Sequence, residues 1–238
     1  MEKTIIYYQT AADIPPPHCF SVKAELQLNS DNLLHIDIEQ IFTDREEIPK
    51  EEIEAEGFTL NDDFIWKGNL PKIWLKEFEH HASRVVFHDF ADSRIHLAKN
   101  EGSPKCPLQM TDWIRFTEEL VQACLEEAEK EDSMELVLGR LEKNNFYESA
   151  RVTWIFPQRM ALAETLEGDS ADFKGEEWTD SQIEIQNWVE VEAAGQDLYQ
   201  LPKNKGWFWL LNGEIWLPFR KTRQGIIWDW ILKRVEIK

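Results

Sequence analysis

The sequence predicts an α+β fold, predominantly antiparallel β-sheet with two or three helices packed on it. Three observations carry that expectation. Short runs alternate apolar and polar residues with the period of a half-buried strand, turn signals stand between them, and only a minority of segments show helical spacing. Nor do strands alternate with helices as parallel β-α-β units require.

Residues 4–9 read as a short first strand, and Ile14-Pro15-Pro16-Pro17 as extended cover, because proline cannot donate to a ladder. The clearest strand follows, with Phe20, Val22, Ala24, Leu26 and Leu28 alternating with Ser21, Lys23, Glu25 and Gln27. Its partner turns Leu34, Ile36 and Ile38 inward and His35, Asp37 and Glu39 outward. Opposed residues share a face, so Leu26 belongs opposite Leu34 or Ile36 across an odd-length loop. At Gln40-Ile41-Phe42 the alternation slips, and a bulge or strand end is expected there.

Pro49 opens a short acidic helix that Gly57 stops. Pro71 starts a second helix with Trp74, Phe78 and Ala82 as its apolar stripe. Val85–Phe90 and Arg94–Ala98 read as short strands. The loop 100–107, with Gly102, Pro104 and Pro107, is the candidate boundary. It would divide an N-terminal α+β region, residues 1–100, from a C-terminal region, residues 101–238, unless the whole forms one domain.

A longer helix spans 112–130, capped by Thr111, with Trp113, Phe116, Leu120, Cys124 and Ala128 on one face. Strands at 134–142 and 149–156 follow, then a polar surface loop or lid over 164–180. Ile183, Ile185, Val189 and Val191 alternate as another strand. The end of the chain predicts a three-stranded meander. Trp207–Leu211 and Glu214–Phe219 flank Asn212-Gly213, a pair that tolerates positive φ at both turn positions, and residues 226–237 add a third strand.

In that meander a two-residue turn sets Trp209 opposite Trp216, with Trp207 on the same face; Phe208, Leu210, Ile215, Leu217 and Phe219 make the other face apolar too. Trp228 and Trp230 share a face of the third strand, so five of the 11 Trp could form one aromatic surface. A sheet with two apolar faces must be covered on both or offer one to a ligand or partner. Arg220, Lys221 and Arg223 would put charge at its rim. Plain burial, with the helix 112–130 covering one face, is the competing explanation of the indoles.

The second candidate is a divalent-metal site. His80, His81, His88 and His96 lie close together with Asp89 and Asp92, and imidazole with carboxylate is a ligand set for zinc and related ions. A strand–turn–strand could gather His88, Asp89, Asp92 and His96. Against it, His88 and Asp89 are strand neighbours and point to opposite faces. The acidic pairs Asp62-Asp63 and Glu176-Glu177 read as solvated turns, and Cys124 as core.

The net charge of −19 comes from 45 acidic and 26 basic residues. Residues 203–238 carry eight basic and three acidic side chains, a local +5, which leaves −24 on the first 202. This field disfavours nucleic acid and anionic membrane surfaces as partners. No glycine-rich phosphate loop, dinucleotide fingerprint or nucleophile elbow occurs. Three cysteines without metal-type spacing, no apolar span of membrane length and no leader-like start lead to the expectation of a cytoplasmic protein.

The leading expectation is therefore an interaction module without chemistry or cofactor of its own, engaging a protein partner or a second copy through the aromatic sheet. The alternatives are a metal-dependent hydrolase or other small-molecule enzyme built on the His/Asp cluster, and a ligand-binding β-barrel lined by the indoles.

Overall fold

The computed structural model describes residues 3–29, 33–88, 93–100, 102–142, 145–175, 177–182, 185, 202, 206–218 and 226–235. The chain forms two compact units, Met1–Glu131 and Asp132–Lys238, and its α+β architecture is dominated by antiparallel sheet. Among the described residues no helix is long and apolar enough to cross a membrane.

The first unit contains β1 (Lys3–Gln9), β2 (Phe20–Leu28), β3 (Leu34–Phe42), α1 (Lys50–Ala55), β4 (Phe64–Leu70), α2 (Lys72–Arg84), β5 (Phe87–His88), β6 (Ile95–Lys99), β7 (Cys106–Pro107) and α3 (Met110–Glu127). Its main sheet runs β4-β3-β2-β1-β6, antiparallel throughout. Period-two alternation puts Ile6, Ala24 and Ile38 side by side on the inner face, where all three are buried. Trp74 of α2 meets Phe116 of α3 at 5.8 Å between ring centroids, and Trp113, Phe116, Leu120 and Cys124 are the buried stripe of α3. Burial of one such side chain contributes about 1.5–3 kcal/mol, so these aromatics hold the layer without a ligand.

Leu26 stands opposite Ile36, one of the two expected registers. Of the two expectations for residues 40–42, the strand end holds, since β3 stops at Phe42, and there is no bulge. The ladder continues unbroken through Val22↔Gln40 to Phe20↔Phe42, and Gln40 simply occupies an inward, buried position. Helix α3 begins one residue before Thr111, and the capping position falls on Gln109 with no side-chain cap bond. The loop 100–107 is no boundary between the compact units, because Lys105 bridges Leu97 and β7 pairs back onto β5. The units divide at Glu131/Asp132, and α3 packs on strands of the first unit.

The second unit contains β8 (Met134–Glu142), β9 (Asn145–Ile155), β10 (Met160–Thr165), β11 (Ser170–Lys174), a helical stretch α4 (177–182), β12 (Gly206–Leu211), β13 (Ile215–Pro218) and α5 (Ile226–Leu232). The sheet order is β11-β10-β9-β8-β12-β13. Residues 164–180 are not one long loop. Ala161↔Phe173 and Ala163↔Ala171 make a hairpin of low hydrophobic contrast, and Gly168, with φ 93, lies in its turn. Trp178 of α4 is fully buried, and Ser181 ties α4 to the sheet by accepting from Trp154 Nε1 at 2.8 Å.

The expected third strand is helix α5. Ile227, Trp228 and Ile231 are buried at helical spacing while Asp229 is exposed. An apolar run this short satisfies both periods, and tertiary packing decides between them. Of the strand expected at 183–191, Ile185 is helical and buried, and the remainder lies outside the described residues.

Candidate functional site

The Asn212-Gly213 turn forms as expected, with φ of 47 and 75 and Glu214 N–H donating to the Leu211 carbonyl at 3.0 Å. Its register is one residue longer than a two-residue loop requires. Leu211 opposes Ile215, Leu210 opposes Trp216 and Trp209 opposes Leu217, so Glu214 is left outside the ladder. A one-residue shift sends every side chain of β13 to the other face. Trp209 and Trp216 therefore lie on opposite faces, which corrects the expected single surface.

Trp209 faces inward, is buried, and meets Trp228 edge-on at 5.2 Å. Trp207 and Trp230 are half-buried and pack against the same core; the Arg234 guanidinium lies 4.4 Å from the Trp230 ring. Trp216 is half-buried on the outer face, 5.2 Å from Phe146 and 6.4 Å from Phe208. Around the hairpin the outer face is apolar as well, with Val137, Phe146, Phe208, Leu210 and Trp216 on it by register, while Glu135, Glu148 and Arg151 share that face, Arg151 paired with both glutamates. Phe146 lies over Gly139, where a Cβ would come within 2.5 Å of its ring. Arg220 and Arg223 lie outside the described residues.

His88 sits on β5 opposite Cys106, and His96 on β6 of the main sheet, so the two histidines occupy different sheets. Asp89 and Asp92 lie outside the described residues. Among the described residues no three His, Cys, Asp or Glu side chains come together as a metal site.

His96 instead joins a row that periodicity cannot reveal. On the outer face of the first sheet, register aligns His96, Tyr7, Lys23 and Glu39 across four strands. The next outward row holds Gln9, Ser21 and Ile41, with Arg94 beside Gln9 through its backbone carbonyl. These two rows floor an open groove of about 680 Å³.

The groove's cations are already engaged. Lys23 Nζ lies 3.0 Å from Glu25, which also takes Lys3 at 2.9 Å; those two bonds hold the Glu25 carboxyl below the usual range, and Glu25 in turn raises Lys23. Arg94 Nη2 donates to the Tyr8 hydroxyl at 3.2 Å, and that hydroxyl donates to Glu118 of α3 at 2.6 Å. Burial, then the Glu118 bond, pushes Tyr8 up to about 12, so it keeps its proton. By contrast the side chains of Tyr7, Gln9, Ser21, Glu39 and His96 make no hydrogen bond or ion pair to another described residue. The sequence exposes only part of this set, as the wet side of β2 and β3. What it conceals is the pairing of β1 with β6, about ninety residues further along the chain.

Comparison of the chain with protein-family models, with curated proteins and with solved structures finds no match.

Proposed function

We propose that the protein acts by non-covalent binding and that the outer groove of the first unit takes a small polar molecule. One observation carries this reading: five polar side chains with unspent hydrogen-bonding capacity converge on about 680 Å³, within the range of small-ligand sites. A site that must be complementary to a polar ligand leaves such groups to water until the ligand arrives. Three buried free cysteines fit a reducing compartment, in line with a cytoplasmic location.

Thermal denaturation against a metabolite library tests the reading, since a ligand that binds only the folded state raises Tm by mass action. At least one compound should stabilise the chain, and a Tyr7→Phe/His96→Gln double variant should lose that response while keeping its own Tm. Equal responses from both proteins would place the ligand elsewhere.

A second reading, the interaction module, rests on the apolar outer face around Trp216, Phe146 and Phe208. Sedimentation over a concentration series tests it for a second copy of the chain. Association should weaken on Trp216→Ser; unchanged association in that variant would argue against the reading.

A further inference from the structure

We infer that the groove ligand is a neutral, polyhydroxylated molecule such as a sugar or cyclic polyol, an inference that rests on the small-ligand reading of the groove. The reasoning begins with charge. Lys23 shares Glu25 with Lys3, and Arg94 reaches Glu118 through the Tyr8 hydroxyl, so neither cation is free of a carboxylate. Glu39, exposed and with no ion pair among the described residues, stands opposite Lys23 and adds to the negative field on it, so Lys3, Lys23 and Arg94 are matched by Glu25, Glu39 and Glu118. An anion entering here would face the Glu39 carboxylate with no cation in reserve.

Hydrogen-bonding capacity points the same way. Glu39 accepts only, the Gln9 amide donates and accepts, and Tyr7, Ser21 and His96 can each do either. Ligand hydroxyls, which also donate and accept, can answer every member of that set without burying an unpaired group on either side. Spacing suits it as well. Neighbouring strands are about 4.8 Å apart, so the row from His96 through Tyr7 to Glu39 presents its groups at intervals over about 14 Å, a span for several hydroxyls rather than one charged head. Tyr7, half-buried in the middle of the row, brings an aromatic ring on which an apolar sugar face can rest.

Isothermal titration of the full chain with maltose, sucrose and myo-inositol, beside glucose 6-phosphate and inorganic phosphate, tests the class. At least one neutral probe should bind, and Glu39→Gln should weaken it about ten- to a hundredfold, the worth of one hydrogen bond to a charged group. Glu39→Gln changes an exposed side chain, so an unchanged Tm checks that the fold is intact. Tighter binding of the phosphates than of every neutral probe, or affinity untouched by Glu39→Gln, would overturn the ligand class while leaving the groove as a site. Silence from all five probes would overturn the class too, and if the library also fails to stabilise the chain, the groove reading falls with it.

Discussion

Replacing Trp209 and Trp216 in turn by alanine separates the two faces of the C-terminal hairpin. Trp209 is 3% exposed and packs on Trp228 inside the core formed by β8, β9, α4 and α5. A tryptophan buries up to about 250 Å², and truncation of one so enclosed costs about 3–5 kcal/mol, the transfer loss plus an unfilled cavity. Trp216, on the outer face, is half-buried and leaves no closed cavity, so about half that cost, roughly 1.5–2.5 kcal/mol, is expected. Urea denaturation followed by far-UV circular dichroism gives both numbers, provided the m-value is unchanged. Trp209→Ala should lower the midpoint of the second unit's transition by about twice as much as Trp216→Ala. Equal losses would mean that the indoles share a face, and the one-residue offset of β13 would be wrong.

The first unit yields further expectations. Arg45 is 2% exposed; its Nε donates to the Pro17 carbonyl at 3.0 Å, its Nη1 to Asp62 at 2.6 Å, and its guanidinium lies 3.7 Å from the Phe42 ring. Arg45→Ala should therefore cost about 3 kcal/mol, near the lower end for a broken buried pair because Asp62 can rehydrate, as read from denaturant midpoints. Partial burial alone would raise the Asp62 carboxyl, but hydrogen bonds from Thr59 and Arg45 outweigh it and hold it below the usual range. That stabilisation is complete above the unfolded value near 4 and fades as pH falls through the lower folded value, so Asp62→Asn should flatten the acid limb of a stability–pH curve. Tyr8 titrates the opposite way: its raised value stabilises the fold fully below about pH 10 and progressively less towards about 12, and Tyr8→Phe should remove this part of the alkaline loss. In the second unit, Gly139→Ala should cost about 1–3 kcal/mol in the same assay, because the added carbon would sit 2.6 Å from the Tyr147 carbonyl as well as against Phe146.

Local pattern made much of the fold legible. The β2–β3 hairpin, helix α3, the β8–β9 pair and the Asn212-Gly213 turn each declare themselves within about twenty residues, where period and turn chemistry agree. Elsewhere the sequence is ambiguous for physical reasons. Residues 226–232 are apolar enough to satisfy either period, and the small side chains of Ala161, Ala163 and Ala171 hide a strand pair inside a polar stretch. The hairpin register turned on one residue, Glu214, that no composition rule assigns to turn or ladder. The groove is the least legible feature: in the sequence His96 reads as a metal-ligand candidate, whereas its neighbours depend on β6 closing against β1, a contact between residues about ninety positions apart. Wet strand faces can be read from alternation; which of them stand side by side cannot.

Residue-resolved NMR of the full chain during titration with a stabilising compound tests the binding account most directly. Shifts that centre on Tyr7, Ser21, Glu39 and His96, four residues brought to the outer face by four different strands, are the predicted result. Shifts that leave these four unmoved, or that centre on Trp216 and Phe208, would contradict it.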